Sequence, residues 1–221
     1  MKILILAAHP DDEVLGCGGS IVKWSREGHE VYVHILSEGT TAQYDSSKIV
    51  VKRNNAELVK DILRIKKYYF SDYPDAKLDT IPLLELTKTI SKVVEEVQPE
   101  ILISHHYGDI NQDHKRVFEA AAIIARPQPN NPIKRFMSYE VPSSSEWGKM
   151  AYRQCAFNPN CFIDITNSID LKLRAIETYN IELRPFPHPR SIEGIKNLSS
   201  IRGQNVGIKY CEGYVIHFSK E

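Results

Sequence analysis

The sequence predicts an α/β protein built on a mostly parallel β-sheet. Two short apolar runs, over residues 3–8 and 101–104, are each bounded by polar residues, which is typical of buried parallel strands. Each run is followed by a stretch in which apolar residues recur at helical spacing. Strands that alternate with helices in this way predict a sheet covered by helices on both faces.

The other elements of the first two thirds follow the same alternation. We predict a helix over 15–27 that Gly28 ends, a strand over 31–36, helices over 48–63 and 83–97, and a helix that begins near His114. The helix over 48–63 has Val51, Leu58 and Ile62 among its apolar positions. The polar residues 37–44 predict a loop over the carboxyl end of the sheet.

The last third predicts a short mixed part of the sheet. It contains strand patterns over 137–141, 161–165 and 210–218 and a helix pattern over 169–179. Pro185, Pro187 and Pro189 predict a stiff, extended segment around His188. Because the chain shows no repeat, low-complexity tract or charge block that would mark a linker, we expect one domain over residues 1–221.

Composition excludes several classes of partner. Lysine plus arginine equals aspartate plus glutamate, at 28 each, so no overall field attracts nucleic acid or an anionic membrane. No apolar run approaches the length of a membrane span, and the N-terminus has no signal-peptide pattern. The four cysteines form no CxxC pair, which favours reduced thiols in a cytoplasmic protein. The oligomeric state stays open, and a homo-oligomer is compatible with the sequence.

Two polar motifs follow the predicted strands and together indicate a metal site. His9 and Asp12 lie directly after the first strand, and His114 closes a His/Asp-rich stretch after the strand over 101–104. In open α/β sheets such strand ends are where ligands bind. Two nitrogens and one oxygen suit Zn²⁺ with a fourth position open for water, which is the arrangement of catalytic zinc. Asp11 is then a carboxylate free for proton transfer.

These motifs resemble those of a known family. The segment AHPDDE over 8–13 and the later DxNxDH over 109–114 look like the PIG-L/LmbE-like deacetylases, and the likeness extends to residues 73–75, 78–80 and 188–191. The resemblance implies a Rossmann-like three-layer α/β/α fold and one Zn²⁺ per chain. It also implies removal of the acetyl group from an N-acetylated amino sugar or its conjugate, by cleavage of a linear amide C–N bond. In this family the position of Asp11 is the general base.

The remaining site residues follow from the same comparison. Many relatives carry histidine where this chain has Asn111, and an asparagine has no proton that titrates near neutral pH. We therefore expect His188 to be the catalytic acid, with return of the proton by Asp11 as the alternative, and we expect Asn111 to contact substrate. Asp113 is expected to serve catalysis by orienting an imidazole or a water. Arg53 and Arg190 are expected to bind substrate hydroxyl or phosphate groups.

Other interpretations compete with this one. The same site suits a zinc amidase of the family that cleaves a larger amide, or a metal-dependent hydratase that acts on an unsaturated acid. A non-enzymatic binding module is disfavoured by the metal triad together with Asp11. Glu13 is interpreted as a carboxylate in the first turn of a helix rather than as a catalytic group. The glycines over 16–19 lack the GxGxxG spacing of a dinucleotide site, and the acidic turn before them would repel a pyrophosphate.

Overall fold

The computed structural model describes residues 1–39, 48–151 and 153–220, with the backbone alone for residues 48–50. Its strands are β1 (Lys2–Ala7), β2 (Glu30–Ser37), β3 (Lys67–Tyr73), β4 (Ile101–His105), β5 (Arg135–Tyr139), β6 (Cys161–Asp164) and β7 (Cys211–Ser219). They form one sheet in the order β3-β2-β1-β4-β5-β7-β6. The first five pair in parallel, whereas β7 runs antiparallel to both β5 and β6.

Helices cover both faces of this sheet, as predicted. They are α1 (Asp12–Arg26), α2 (Lys48–Leu63), α3 (Leu83–Val97), α4 (Gln112–Ile124), α5 (Ser145–Ala151), α6 (Ile169–Thr178) and α7 (Ile192–Gln204). Among the helices described, none is both long and apolar enough to cross a membrane.

The central strand β1 shows why the fold has three layers. Ile3, Ile5 and Ala7 are buried in one core, with residues of α1, α2 and α6. The alternate residues Leu4 and Leu6 are buried in a second core, with residues of α3 and α4. Because successive side chains of a strand point to opposite faces, a continuous apolar run buries both faces of the sheet.

The order of the strands places the two sequence motifs side by side. The chain moves outward from β1 to β2 and β3, and then returns to place β4 and β5 on the other side of β1. The direction therefore changes between β1 and β4, and α/β proteins bind ligands outside the carboxyl ends of strands at such a point. Residues 8–13 follow β1 and residues 106–114 follow β4.

The glycines of α1 allow close packing. A Cβ atom on Gly16 would lie 2.1 Å from the ring of Tyr139, and one on Gly19 would lie 2.7 Å from Ile165. Two backbone N–H groups of the same helix, those of Gly19 and Ser20, donate hydrogen bonds to the buried carboxylate of Glu212 in β7, at 2.9 and 2.7 Å. These contacts give the glycine-rich stretch a packing function and support the rejection of a dinucleotide site.

Several predicted elements need correction. Strand β3 and helices α5 and α7 were not predicted, whereas the strand and helix patterns of the last third match β5, β6, α6 and β7 closely. The segment around His188 is a turn rather than extended, with a cis Phe186–Pro187 peptide and a hydrogen bond from His188 N–H to the Pro185 carbonyl at 3.1 Å. Most of the loop predicted over 37–44 lies outside the described residues, which resume at Lys48.

Candidate metal and substrate site

Three side chains from the two motifs converge at the carboxyl ends of β1 and β4. Nδ1 of His9 lies 3.2 Å from Oδ2 of Asp12 and 3.4 Å from Nε2 of His114, and Nε2 of His114 lies 3.4 Å from the same Asp12 oxygen. A tetrahedral zinc ion with bonds of about 2.0–2.1 Å requires ligand atoms about 3.3–3.4 Å apart. The three donor atoms therefore already have the spacing that zinc needs.

The second oxygen of Asp12 supports the same conclusion. Oδ1 of Asp12 is buried and has no hydrogen-bond partner among the described residues. A buried carboxylate oxygen without a partner is costly, and a cation at the three donors would neutralise that charge. The donor set and its spacing thus fit a divalent ion such as Zn²⁺.

Carboxylates behind the histidines set which ring nitrogen faces the centre. Oδ2 of Asp109 lies 3.1 Å from Nδ1 of His114. Asp109 is itself held by the hydroxyls of Ser144 and Ser145 and by the backbone N–H of Asn111. A proton on Nδ1 leaves the lone pair of Nε2 directed at the centre, which is the usual arrangement of metal-binding histidines.

His9 is oriented in the same way from the other side. Its Nε2 lies 3.1 Å from Oδ2 of Asp113 and 3.1 Å from Oδ1 of Asp75. Asp113 also accepts a hydrogen bond from the Leu78 N–H at 3.0 Å, so its position is fixed by the backbone. The expectation that Asp113 orients an imidazole agrees with this geometry. His9, Asp75 and Asp113 also form a second set of metal-type ligands, which shares His9 with the first.

The electrostatics of the cluster favour positive charge at its centre. Burial alone would raise the pKa of Asp12, yet the charge of the neighbouring His114 and its hydrogen bond hold that pKa well below its usual value. Burial alone would lower the pKa of His114, but the charges of Asp12 and Asp109 raise it to about 9. The carboxylates therefore stabilise a cation here, whether a proton or a metal ion.

Asp11 lies beside the three donors without joining them. Its φ angle of 128° is unusual for a residue other than glycine, and its carboxylate points into the neighbouring cavity. Oδ2 of Asp11 lies 3.3 Å from Nη1 of Arg190. Burial raises the pKa of Asp11 to about 8, although the charge of Arg190 opposes that change. The strained backbone thus places the Asp11 carboxylate beside the ligands, and Asp11 belongs to neither set of metal-type ligands found among the described residues.

Glu13 holds that backbone in place, a function the sequence interpretation missed. The side chain is fully buried, and its Oε2 accepts the backbone N–H of Asp11 at 3.1 Å. Oε1 accepts the hydroxyls of Tyr68 and Tyr179 at 2.9 and 3.1 Å. Burial raises the pKa of Glu13 to about 7. Glu13 does lie in the first turn of α1, as expected, and its buried carboxylate also accepts three hydrogen bonds.

A cavity of about 270 Å³ opens onto this cluster. It is lined by His9, Asp11, Gly39, Lys52, Asp75, Ala76, Asn111, Ser143, Glu182, Arg184, His188 and Arg190. The predicted residues His9, Asp11, Asn111, His188 and Arg190 are thus brought together. Lys52, Asp75 and Glu182 line the cavity as well, and the sequence interpretation did not assign them to the site.

Arg53 does not reach the cavity. Its guanidinium is bonded to Asp72 on the exposed side of β3, and it lies 5.4 Å from the ring of Phe70. The neighbouring Lys52 is buried, lines the cavity and forms an ion pair with Glu182 at 2.8 Å. The prediction of Arg53 as a substrate-binding residue is therefore not supported by the geometry.

The buried face of α2 explains why Lys52 reaches the cavity and Arg53 does not. Val51 and Leu58, two of the apolar positions noted in the sequence, are 48% and 57% exposed. The residues that are buried recur at helical spacing and are Lys52, Ala56, Val59 and Leu63. A lysine on the buried face of an amphipathic helix is the signal that would have identified Lys52.

His188 is held as a neutral ring in the lining of the cavity. Its Nδ1 accepts the backbone N–H of Arg190 at 3.0 Å, which places the proton of the neutral ring on Nε2. Burial together with the charges of Arg190 and Arg184 lowers the pKa of His188 below its usual value. The geometry therefore favours an N–H donor over a protonated acid at neutral pH.

Asn111 has a local structural function in addition to its place in the cavity lining. It is the N-cap of α4, and its side-chain oxygen accepts the backbone N–H of Asp113 at 2.9 Å. This bond fixes the first turn of the helix that carries His114.

Fold and site together are those of an α/β protein with a candidate zinc site at the switch point of its sheet. The family model of PIG-L, GlcNAc-PI de-N-acetylase, matches residues 4–125, which is more than half of the 221 residues. The chain therefore belongs to the PIG-L family, as the sequence motifs indicated.

Individual relatives are distant but cover most of the chain. Diacetylchitobiose deacetylase of Thermococcus kodakarensis is 24% identical over 222 residues, which span 96% of this chain and 81% of that protein. The 4-oxalmesaconate hydratase of Pseudomonas putida is 29% identical over 192 residues, which span 79% of this chain and 71% of that protein. The crystal structure of the conserved protein TT1542 from Thermus thermophilus superposes with a TM-score of 0.79 at 20% identity, covering 99% and 96% of the two chains. This superposition confirms the fold.

The geometry predicts one zinc ion per chain. Metal-free protein titrated with Zn²⁺ in a calorimeter should bind one equivalent, and His9→Ala, Asp12→Ala and His114→Ala should each weaken binding on the order of 100-fold or more. Asp113→Ala should weaken it about 10- to 100-fold, the usual effect of removing a group that orients a ligand. His29→Ala, a histidine remote from the cluster, is the matched control and should bind as the wild type does. If the wild type instead binds two equivalents and Asp75→Ala binds only one, the second set of ligands is also a metal site. If all three ligand variants still bind zinc fully, the first set is not a metal site.

Proposed function

We propose that this protein is a zinc-dependent deacetylase that removes the acetyl group from an N-acetylated amino sugar or a conjugate of one. The observation that carries the proposal is the triangle of His9, Asp12 and His114 with Asp11 beside it on the floor of a polar cavity. Membership of the PIG-L family and the deacetylase activity in the name of the Thermococcus relative support it. Strands from both ends of the chain share one sheet, which supports a single catalytic domain over residues 1–221.

Amide hydrolysis needs a base, a polarised carbonyl and a donor for the departing nitrogen. A zinc ion held by the triad would supply Lewis-acid chemistry, because it lowers the pKa of a water to about 7 and polarises a carbonyl. Asp11 accepts the proton of the attacking water at its carboxylate. Arg190, 3.3 Å from Asp11, fixes the orientation of that carboxylate.

The departing amine must gain a proton as the C–N bond breaks. Since Asn111 has no titrating proton and His188 is held neutral, Asp11 returns the proton that it took from water. His188 then acts as a neutral donor through its Nε2–H, which stabilises the developing negative charge or the departing group. This modifies the expectation that His188 is the acid.

Substrate hydroxyls would bind to the polar groups on the cavity wall. Lys52, Asp75 and Glu182 offer both donors and acceptors around the opening to the metal site. The ion pair between Lys52 and Glu182, 2.8 Å long, fixes both side chains and so reduces the entropy lost on binding. A sugar ring, with a hydroxyl on nearly every carbon, matches such a wall.

A hydratase is the second candidate. The Pseudomonas relative, named as a 4-oxalmesaconate hydratase, is the more similar of the two relatives by identity, and the cations Lys52, Arg184 and Arg190 on the cavity lining suit a carboxylate substrate. The products separate the two activities. Deacetylation releases acetate and a primary amine, whereas hydration consumes a double bond and releases neither.

The test of the proposal is an assay of zinc-loaded protein with N-acetylglucosamine, diacetylchitobiose and an unsaturated dicarboxylic acid, with acetate, free amine and ultraviolet absorbance measured together. Acetate and amine should appear in equal amounts. Asp11→Asn should keep its bound zinc and lose on the order of 100-fold or more in kcat, because the base is removed. Asp79→Asn, which makes the same change at an exposed aspartate outside the cavity lining, is the control. Loss of absorbance without acetate would establish the hydratase instead.

The geometry of α2 gives a paired prediction. Lys52→Met should lower kcat/KM about 10-fold or more, since it removes a buried charge from the cavity wall and leaves Glu182 without that partner. Arg53→Met, one residue along the same helix, should change kcat/KM less than about 2-fold. Lys52→Arg and the melting temperatures separate loss of binding from loss of folding. The reverse ranking of the two methionine variants would return the substrate contact to Arg53.

His188 is tested by its pH profile. His188→Ala should lower kcat about 10- to 100-fold, the range expected for a preorganised hydrogen-bond donor. If His188 acted as a protonated acid, the wild type would show an alkaline limb that begins below about pH 6.5, because the pKa of His188 is lowered. His188→Ala would then lack that limb. We expect the alkaline limb of kcat to be the same in variant and wild type. A limb that disappears with His188→Ala would restore His188 as the acid.

A further inference from the structure

Large apolar side chains are exposed on three segments beside the cavity mouth. Ile110 (43% exposed) precedes the lining residue Asn111, and Phe186 (57%) is two residues from the lining residue His188. Trp147 (42%) and Met150 (80%) share one face of α5, since they are three residues apart on a helix. Exposed apolar side chains thus adjoin residues of the cavity lining, and we refer to them as the rim; the cavity wall itself is mostly polar.

Trp147 connects this apolar rim to the cavity. Its ring meets the ring of His188 edge to face, with centroids 5.4 Å apart and planes at 86°. Its indole N–H makes no hydrogen bond to any residue that the structure describes. The indole thus presents an exposed aromatic surface and an unused donor directly beside a lining residue.

The helix that carries Trp147 is fixed against the loop after β4. A Cβ atom on Gly148 would lie 2.1 Å from the carbonyl oxygen of Gly108, so the two backbones are in direct contact. The Ile110 N–H also donates to the Ser144 carbonyl at 3.3 Å. Trp147 is therefore held at a set distance from the site.

The depth of the site determines which part of a substrate reaches this rim. The side chains of Asp12 and His114 are almost fully buried, so the scissile amide must lie at the cavity floor. A volume of about 270 Å³ lies at the lower limit of the range, about 300–1,000 Å³, that is typical of pockets for drug-sized ligands. One amino sugar fills it, so a bulky group carried on the anomeric carbon of that sugar must extend out of the cavity, over the rim.

We propose that Trp147, which contacts the lining residue His188, forms an outer subsite for the group carried on the anomeric carbon of the substrate. The ligand class is a neutral aglycone with a flat apolar face, such as an aryl group, that stacks on the indole. The proposal rests on the proposed deacetylase function. A longer acyl chain is the alternative occupant, and a comparison of acyl groups distinguishes it.

The test compares phenyl and methyl N-acetyl-β-D-glucosaminide as substrates of the zinc-loaded enzyme. The wild type should favour the phenyl glycoside by about 3- to 10-fold in kcat/KM, the range expected for one aromatic pair. Trp147→Ala should reduce this ratio to near 1, and Trp147→Phe should retain part of it. The ratio cancels any general loss of activity or folding. Leu84→Ala, an exposed apolar residue on α3, is the control and should keep the wild-type ratio.

The outcomes separate this inference from the function beneath it. Release of amine from both glycosides at equal rates, with no change of ratio in Trp147→Ala, would overturn the subsite and leave the deacetylase intact. Amine from neither glycoside nor free N-acetylglucosamine would count against the deacetylase itself. A preference for N-butyryl over N-acetyl substrates that Trp147→Ala abolishes would assign the rim to the acyl group and contradict the proposal. A direct readout is tryptophan fluorescence: phenyl β-D-glucosaminide, the product, should change the emission of the wild type and not that of Trp147→Phe.

Discussion

One buried hydrogen bond joins the two strand ends on which the site depends. The backbone N–H of Ala8, just before His9, donates to Nε2 of His105, the last residue of β4, at 2.8 Å. Burial and the charge of His114 lower the pKa of His105 well below its usual value, so the ring stays neutral and able to accept this bond. The same ring stacks on His114, with centroids 3.9 Å apart. His105 therefore sets the distance between the two motifs without being one of the three donor residues.

The parts of the site that sequence predicts are those fixed by local order. His9, Asp11 and Asp12 share one turn, and His114 lies one turn into a helix that follows a recognisable strand. Parallel pairing of β1 with β4 then brings the motifs together by topology alone. Lys52 was missed for a different reason. A 16-residue helix with apolar residues on more than one face fits several phases, and the phase that buries Ala56 and Val59 is chosen by tertiary packing.

Other contacts have no signal in a single sequence. Glu13 lies in the recognised motif, yet its partners Tyr68 and Tyr179 are 55 and 166 residues away. Asp75 lies in the family-like segment 73–75 but received no role, and Glu182 ends a 3-10 turn. The positions of both depend on β3, which was not predicted, and on the turn around His188, which was predicted in another form. Such long-range contacts determine how the motif is held: Glu13 fixes the backbone of Asp11, and Asp75 and Asp113 fix the ring of His9. Sequence thus predicts the groups that do chemistry better than the groups that orient them.

The central claim is that His9, Asp12 and His114 bind zinc while Asp11 remains outside the coordination shell. Zinc K-edge X-ray absorption of the loaded wild type and of Asp11→Asn tests this most directly. The account predicts, for both proteins, the same shell of nitrogen and oxygen ligands at about 2.0–2.1 Å with two imidazoles. A shell that changes in Asp11→Asn, that contains a single imidazole or that includes sulfur at about 2.3 Å would contradict it.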